Sequence, residues 1–200
     1  MPRLRPRPYW SAPGGHGLAR RSAVLPEPAN NAGPPRPALL FLDIEASGLS
    51  PESWPIEIGC AWLSNARIEV RSTIILPRRA WSMQHWLPSA QRLHGIRPEE
   101  LENGRPADLV AADTDALSRF QIVSDNARWD QLWLDRLRGE RPRLVVHPLR
   151  RVAAERLEGL AGDFFALSLL RTRPPHRAGG DAARLARAWL AADSVLDLAA

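Results

Sequence analysis

Lysine is missing from this 200-residue chain, whose 27 basic residues are all arginine. We take that skew as a matter of genome composition before function. Cysteine occurs once, at Cys60, so no internal disulfide can form. Its place in the apolar run IEIGCAW marks a small core residue of a reducing cytosol. No apolar stretch approaches the roughly 20 residues of a membrane-spanning helix. The segment ARRSAVLPEPA carries the paired arginines of an export signal, but its apolar part is three residues long and ends at Pro26, which excludes a signal-peptide core. No internal repeat is visible. A cytoplasmic protein without membrane association is expected.

Large apolar side chains are also scarce in residues 1–37, which hold nine of the 19 prolines and four of the 13 glycines. Such a segment cannot bury enough surface to offset its ordering entropy, so 1–37 is expected to be a disordered tail. A start codon assigned too early would also account for it. The tail carries Arg3, Arg5, Arg7, Arg20, Arg21 and Arg36 against Glu27, the whole of the chain's net charge of +5. Residues 38–200 are therefore balanced in charge and long enough for one domain.

Within that domain, ALLFLDI (38–44) predicts a buried strand, and PIEIGCAWL and IEVRSTIIL predict hairpin partners around SNAR. SMQHWLPSAQRLHGI and PADLVAADTDALSRF predict helices, with Pro106 in a first turn. QIVSD predicts a strand feeding the helix ARWDQLWLDRLRG, which stops at Gly139. PRLVVHP predicts a further strand, and AERLEGLAGDFFALSLL and DAARLARAWLAA predict two helices separated by RTRPPHRAGG. Strands mixed with helices give an α/β domain, its early strands antiparallel and its later ones joined by crossovers.

One stretch resists a purely structural account. In FLDIEASGL, Asp43 and Glu45 interrupt an apolar strand and share one of its faces. Two carboxylates held that close repel, and burial sharpens the repulsion, so the pair needs a cation. Hard oxygen ligands favour magnesium or manganese, and two such ions roughly 4 Å apart suit phosphodiester hydrolysis. That chemistry needs further carboxylates and a base. Asp130 falls on the helix that follows a strand, near the strand's carboxyl end. Asp125 competes with it but suits a helix N-cap. His176 lies in the proline- and glycine-rich break, and Asp181 opens the final helix.

FLDIEASGL with PIEIGCAWL, then IVSDNARWDQLWL, then HRAGGDA resemble, in order, the three motifs of the DEDDh 3′–5′ exonucleases. That family includes polymerase proofreading subunits, ribonuclease T and oligoribonuclease. SAQRLHGIRPEEL (89–101) is similar to the family's helix between the first two motifs, and the resemblance covers about residues 38–190. It implies a ribonuclease H-like fold, a mixed sheet of about five strands with helices on both faces. It makes Asp43, Glu45, Asp130 and Asp181 the acids that bind two Mg2+ or Mn2+ ions and His176 the general base. Ser47, Gly48 and Leu49 become substrate contacts. The implied activity releases nucleoside 5′-monophosphates from a 3′ end of DNA or RNA, single strands before duplexes. A homodimer and a polymerase-associated subunit both stay open. Ser47 stands where threonine is commonest, Asp125 where histidine is usual and Trp129 where phenylalanine is usual; these departures leave the substrate undetermined.

The same residues have plainer readings. The alternative to an enzyme is a catalytically weak nucleic-acid-binding or regulatory module that keeps the fold and uses the basic tail. Glu57 is read as structural support and His94 as the end of a helix stopped by Gly95. His85 and His147 are read as surface residues. Trp62, Trp133 and Trp189 occupy apolar positions of predicted elements and belong to the core. Trp54, in the loop SPESWP, is the one tryptophan placed to stack on a substrate terminus.

Overall fold

The computed structural model describes residues 37–65, 67–157 and 159–199. The expected disordered tail, up to residue 36, lies outside the described residues. The strands are β1 (Leu39–Ala46), β2 (Pro55–Ser64), β3 (Arg67–Leu76), β4 (Arg105–Pro106), β5 (Gln121–Ser124) and β6 (Val146–Pro148). The helices are α1 (Pro88–His94), α2 (Ala107–Asp113), α3 (Ala127–Arg138), α4 (Leu149–Arg156), α5 (Leu160–Arg171) and α6 (Ala178–Ala199). The strands form one mixed sheet in the order β4-β3-β2-β1-β5-β6. β2 runs antiparallel to β1 and β3, while β5 lies parallel to β1 and β6 parallel to β5.

Alternation along β1 sorts its side chains onto two layers. Leu40, Leu42 and Ile44 pack with Trp133, Leu134 and Leu137 of α3 on one face. Phe41 packs with α4, α5 and α6 on the other, against Leu149, Phe165 and Trp189. Each such fully buried side chain is worth about 1.5–3 kcal/mol. Cys60 is buried in the first layer and its thiol is pushed up to about 12 by burial, so it is an inert core residue. Gly59 lets α6 rest directly on β2: a Cβ there would lie 2.1 Å from the carbonyl carbon of Ala178. That contact sets where α6, and with it Asp181, begins.

Several boundaries differ from those the sequence predicts. The sheet gains a sixth strand, because Arg105 and Pro106 pair with the edge of β3. Pro106 accordingly ends β4 and caps α2 instead of sitting inside it. The helical stretch 82–96 divides into a 3-10 turn (Met83–His85) and α1, which Gly95 stops in a left-handed conformation, φ 70°. Residues 107–119 divide likewise into α2 and a 3-10 helix. The long helix expected over 154–170 is two helices, since Leu157 leaves α4 in an extended conformation.

Candidate active site

The carboxyl ends of β1 and β5 open onto a cavity of about 580 Å3. Asp43 and Glu45 project into it from the face of β1 that α6 covers. Asp181 joins them from the first turn of α6. One carboxylate oxygen from each of the three can be chosen so that all lie within 4.8 Å of one another. Asp43 is held well above the usual carboxylate range by burial first, then by Asp130, Glu45 and Asp181. Glu45 is pushed up to about 7 by burial, then by repulsion from Asp181 and Glu57, with Arg177 opposing. Asp181 is raised by burial, while the backbone N–H of Arg177 opposes the rise. Its Oδ1 is buried and has no hydrogen-bond partner among the described residues. Clustered hard oxygens, mutual repulsion and an orphaned carboxylate oxygen fit a divalent cation bound by these acids.

Asp130 is placed differently. It is 1% exposed, and both oxygens meet protein donors. Oδ1 accepts the N–H of Ile44 at 3.1 Å and Oδ2 accepts the hydroxyl of Ser124. The four expected acids therefore divide into three that crowd together and one that borders the cavity with its oxygens already engaged. Ser124 also accepts the N–H of Asn126, at 2.9 Å, so one hydroxyl ties the end of β5 to α3. Nothing in the sequence marks Ser124 for that duty.

His176 lies on the cavity rim, partly exposed, with φ 55°. Its loop reaches the rim because Asp181 accepts the N–H of Arg177 at 3.2 Å and Glu57 binds the Arg177 side chain. Arg177 was not among the expected site residues; its partner is 120 residues away in sequence. Asp125 does not cap α3. That position is Asn126, while Asp125 is exposed and pairs with Arg184 at 3.5 Å.

The loop after β1 corrects two expectations. Trp54 is fully buried and packs with Trp81 and Trp86 at ring separations of 5.8 and 5.9 Å, its Nε1–H donating to the Ser82 carbonyl. It has no face to offer a base. Ser47 is also fully buried, and its hydroxyl accepts the N–H of Trp54 at 3.0 Å, so that hydroxyl is spent inside the loop. The closed loop instead presents Leu49, while Gly48 lines the cavity but is buried against Leu87. Leu49 is 63% exposed and, with Leu87, Ala90 and Leu93, forms an apolar wall facing the acids. α3 fastens this loop, with Trp133 Nε1–H donating to Ser53 and Arg136 donating to the carbonyls of Pro51 and Ser53. Trp62, Trp133 and Trp189 are core residues, as expected. His94 ends α1 as expected but is buried. Its Nδ1 accepts the N–H of Ile96, which leaves the proton on an Nε2 without a partner among the described residues, and burial lowers the imidazole to about 4.

No family model and no curated protein matches the chain. Solved structures do. A zinc-bound E. coli ExoI–ssDNA complex superposes with TM-score 0.59 at 17% identity, over 81% of this chain and 41% of that one. A full-length 3′-exonuclease gives 0.58 at 15% identity, over 84% and 64%. Exonuclease X in complex with 5′ overhanging duplex DNA gives 0.51 at 19% identity, over 81% and 93%. This chain thus spans less than half the length of the ExoI chain it matches. What these likenesses share with the sheet order and the helices on both its faces is the architecture: the chain has the ribonuclease H-like α/β fold of the solved exonucleases.

Proposed function

We propose that the chain is a metal-dependent 3′–5′ exonuclease that hydrolyses phosphodiester bonds and releases nucleoside 5′-monophosphates. The observation that carries the proposal is the crowding of Asp43, Glu45 and Asp181, an arrangement that is costly without a cation. Asp130 is the fourth acid of the set, held at the cavity edge by Ser124 and Ile44. Two magnesium or manganese ions, when bound, would stabilise charge on the attacking and leaving oxygens of the phosphodiester.

The chain's own groups divide the remaining work. Leu49, Leu87 and Leu93 bury the terminal nucleoside against an apolar surface and exclude water from its flank. Aliphatic side chains contact a base without reading its edge, which suits removal of any nucleotide. His176 accepts the proton of the attacking water at an imidazole nitrogen, worth about 10²–10⁴-fold in rate. The substrate is a nucleic acid with a free 3′ end. Similarity to structures holding single-stranded DNA and an overhanging duplex supports DNA as the first candidate.

A 3′-labelled single strand of DNA and one of RNA, each incubated with Mg2+ and with EDTA, test the proposal. Labelled mononucleotide is expected with Mg2+ only. Binding without any cleavage in either condition identifies a nucleic-acid-binding module and overturns the proposal.

A further inference from the structure

Glu57 stands in β2 directly opposite Glu45 of β1. A like charge at that cross-strand position is unfavourable, and an apolar side chain would pack there without repulsion. A buried ion pair is also weak support for stability, often no better than well-packed apolar residues. Something other than stability accounts for a carboxylate at 57.

Its contacts indicate what. The Glu57 side chain, 5% exposed, binds the guanidinium of Arg177 through both oxygens, at 2.9 and 3.0 Å. Oε2 also accepts the N–H of Ala178 at 3.0 Å. From the other side, Asp181 accepts the N–H of Arg177 and donates its own N–H to the Arg177 carbonyl at 2.9 Å. Two positions along β2, Gly59 seats the backbone of Ala178 and Gly179 directly on the strand. Residues 177 and 178 are thus clamped to the strand pair that carries Asp43 and Glu45. His176, one residue earlier, has φ 55°, a left-handed conformation that is uncommon for a residue other than glycine.

We propose that Glu57 is a positioning residue for His176. Acting through Arg177 and the Ala178 N–H, it fixes the loop on β2 so that the imidazole stays on the rim of the cavity that Asp43, Glu45 and Asp181 line. The inference rests on His176 being the base. A misplacement of about 1 Å in such a group costs on the order of 10²-fold in rate.

The test uses the full chain and four variants: Glu57→Gln, Arg177→Ala, His176→Ala and the double variant Glu57→Gln/His176→Ala. Rates and KM are measured on a 3′-labelled oligonucleotide, Mn2+ affinity by calorimetry, and amide exchange over 174–181 on metal-free protein. Glu57→Gln and Arg177→Ala should each lower kcat on the order of 10- to 100-fold, leave KM and Mn2+ affinity nearly unchanged, and speed exchange at Ala178. The double variant should be no slower than His176→Ala alone, because a misplaced base and an absent one are equivalent. Losses that multiply in the double variant overturn the positioning role while leaving the base assignment intact. Full activity in His176→Ala removes the base assignment, and the positioning role with it. Should Glu57→Gln fail to fold, Arg177→Ala decides, because the Arg177 side chain is 47% exposed and its removal opens no core. Unchanged kcat in that variant, or loss of Mn2+ binding, also overturns the inference.

Discussion

The two sides of the cavity are built on opposite principles. On the acid side, Asp43, Glu45 and Asp181 are forced together at a cost that the metal-free protein carries unrelieved. On the apolar side, Leu49, Leu87 and Leu93 expose carbon to water with no such conflict. On the function proposed above, a cation relieves the electrostatic strain of one side and a nucleoside covers the hydrophobic surface of the other. Chemistry and grip are therefore separable, and substitutions on the two sides should fail in different ways.

The largest effect is expected on the acid side. Asp43→Asn or Glu45→Gln should reduce turnover to background while the domain stays folded. In metal-free buffer the same variants should melt higher than the parent, since a repelling charge is gone. Turnover combined with thermal melting in EDTA checks both halves, and residual turnover above background breaks the separation.

A large effect of another kind is expected just behind the apolar side. Trp54→Ala should cost about 3–5 kcal/mol of stability, the usual loss for a buried tryptophan, because it empties the cluster with Ile56, Ile96 and Leu101. The folded fraction should keep its KM. A raised KM at full folding would return Trp54 to the substrate side.

That tryptophan also marks the limit of what the sequence discloses. Asp43 and Glu45 were legible because strand alternation puts i and i+2 on one face whatever the tertiary fold. Asp181 was legible as a residue of the final helix's first turn, and His176 as a residue of the proline-broken loop before it, although Gly179 and Gly180 belong to α6 and not to that loop. Trp54 was not, since its burial depends on Trp81 and Trp86 folding back over it from beyond β3. Asp130 was found as a residue but not as an engaged one; its partners Ser124 and Ile44 come from two strands, β5 and β1. Of the sheet, β2 and β3 were legible by alternation and β1, β5 and β6 as short apolar runs, whereas two-residue β4 exists only because an edge of β3 was there to receive it.

A smaller effect separates grip from chemistry directly. Leu49→Ala or Leu93→Ala should raise KM about 10-fold, equivalent to losing roughly 1.5 kcal/mol of apolar burial, with kcat and Mn2+ affinity held. A fall in kcat instead would show that the apolar wall positions the scissile bond.

The smallest effect is a pH slope. Glu45 rises from 4.5 to about 7 in the folded, metal-free protein, so between those values the folded state binds more protons than the unfolded one. Stability from this group is present below pH 4.5 and is lost as pH rises through about 7. The melting temperature in EDTA should therefore fall over that window, and Glu45→Gln should flatten the fall. Saturating Mg2+ should reverse the slope, because the cation binds the ionised acids.

The central claim, that these acids form a divalent-cation site, is met most directly by Mn2+ calorimetry near pH 6.5 in two buffers of different ionisation enthalpy. Saturable binding with a buffer-dependent heat is predicted, because the cation must displace protons that the raised carboxylates hold. Both the binding and the proton release should be lost in Asp43→Asn. No saturable heat in the parent protein, or binding that persists unchanged in Asp43→Asn, would contradict the account.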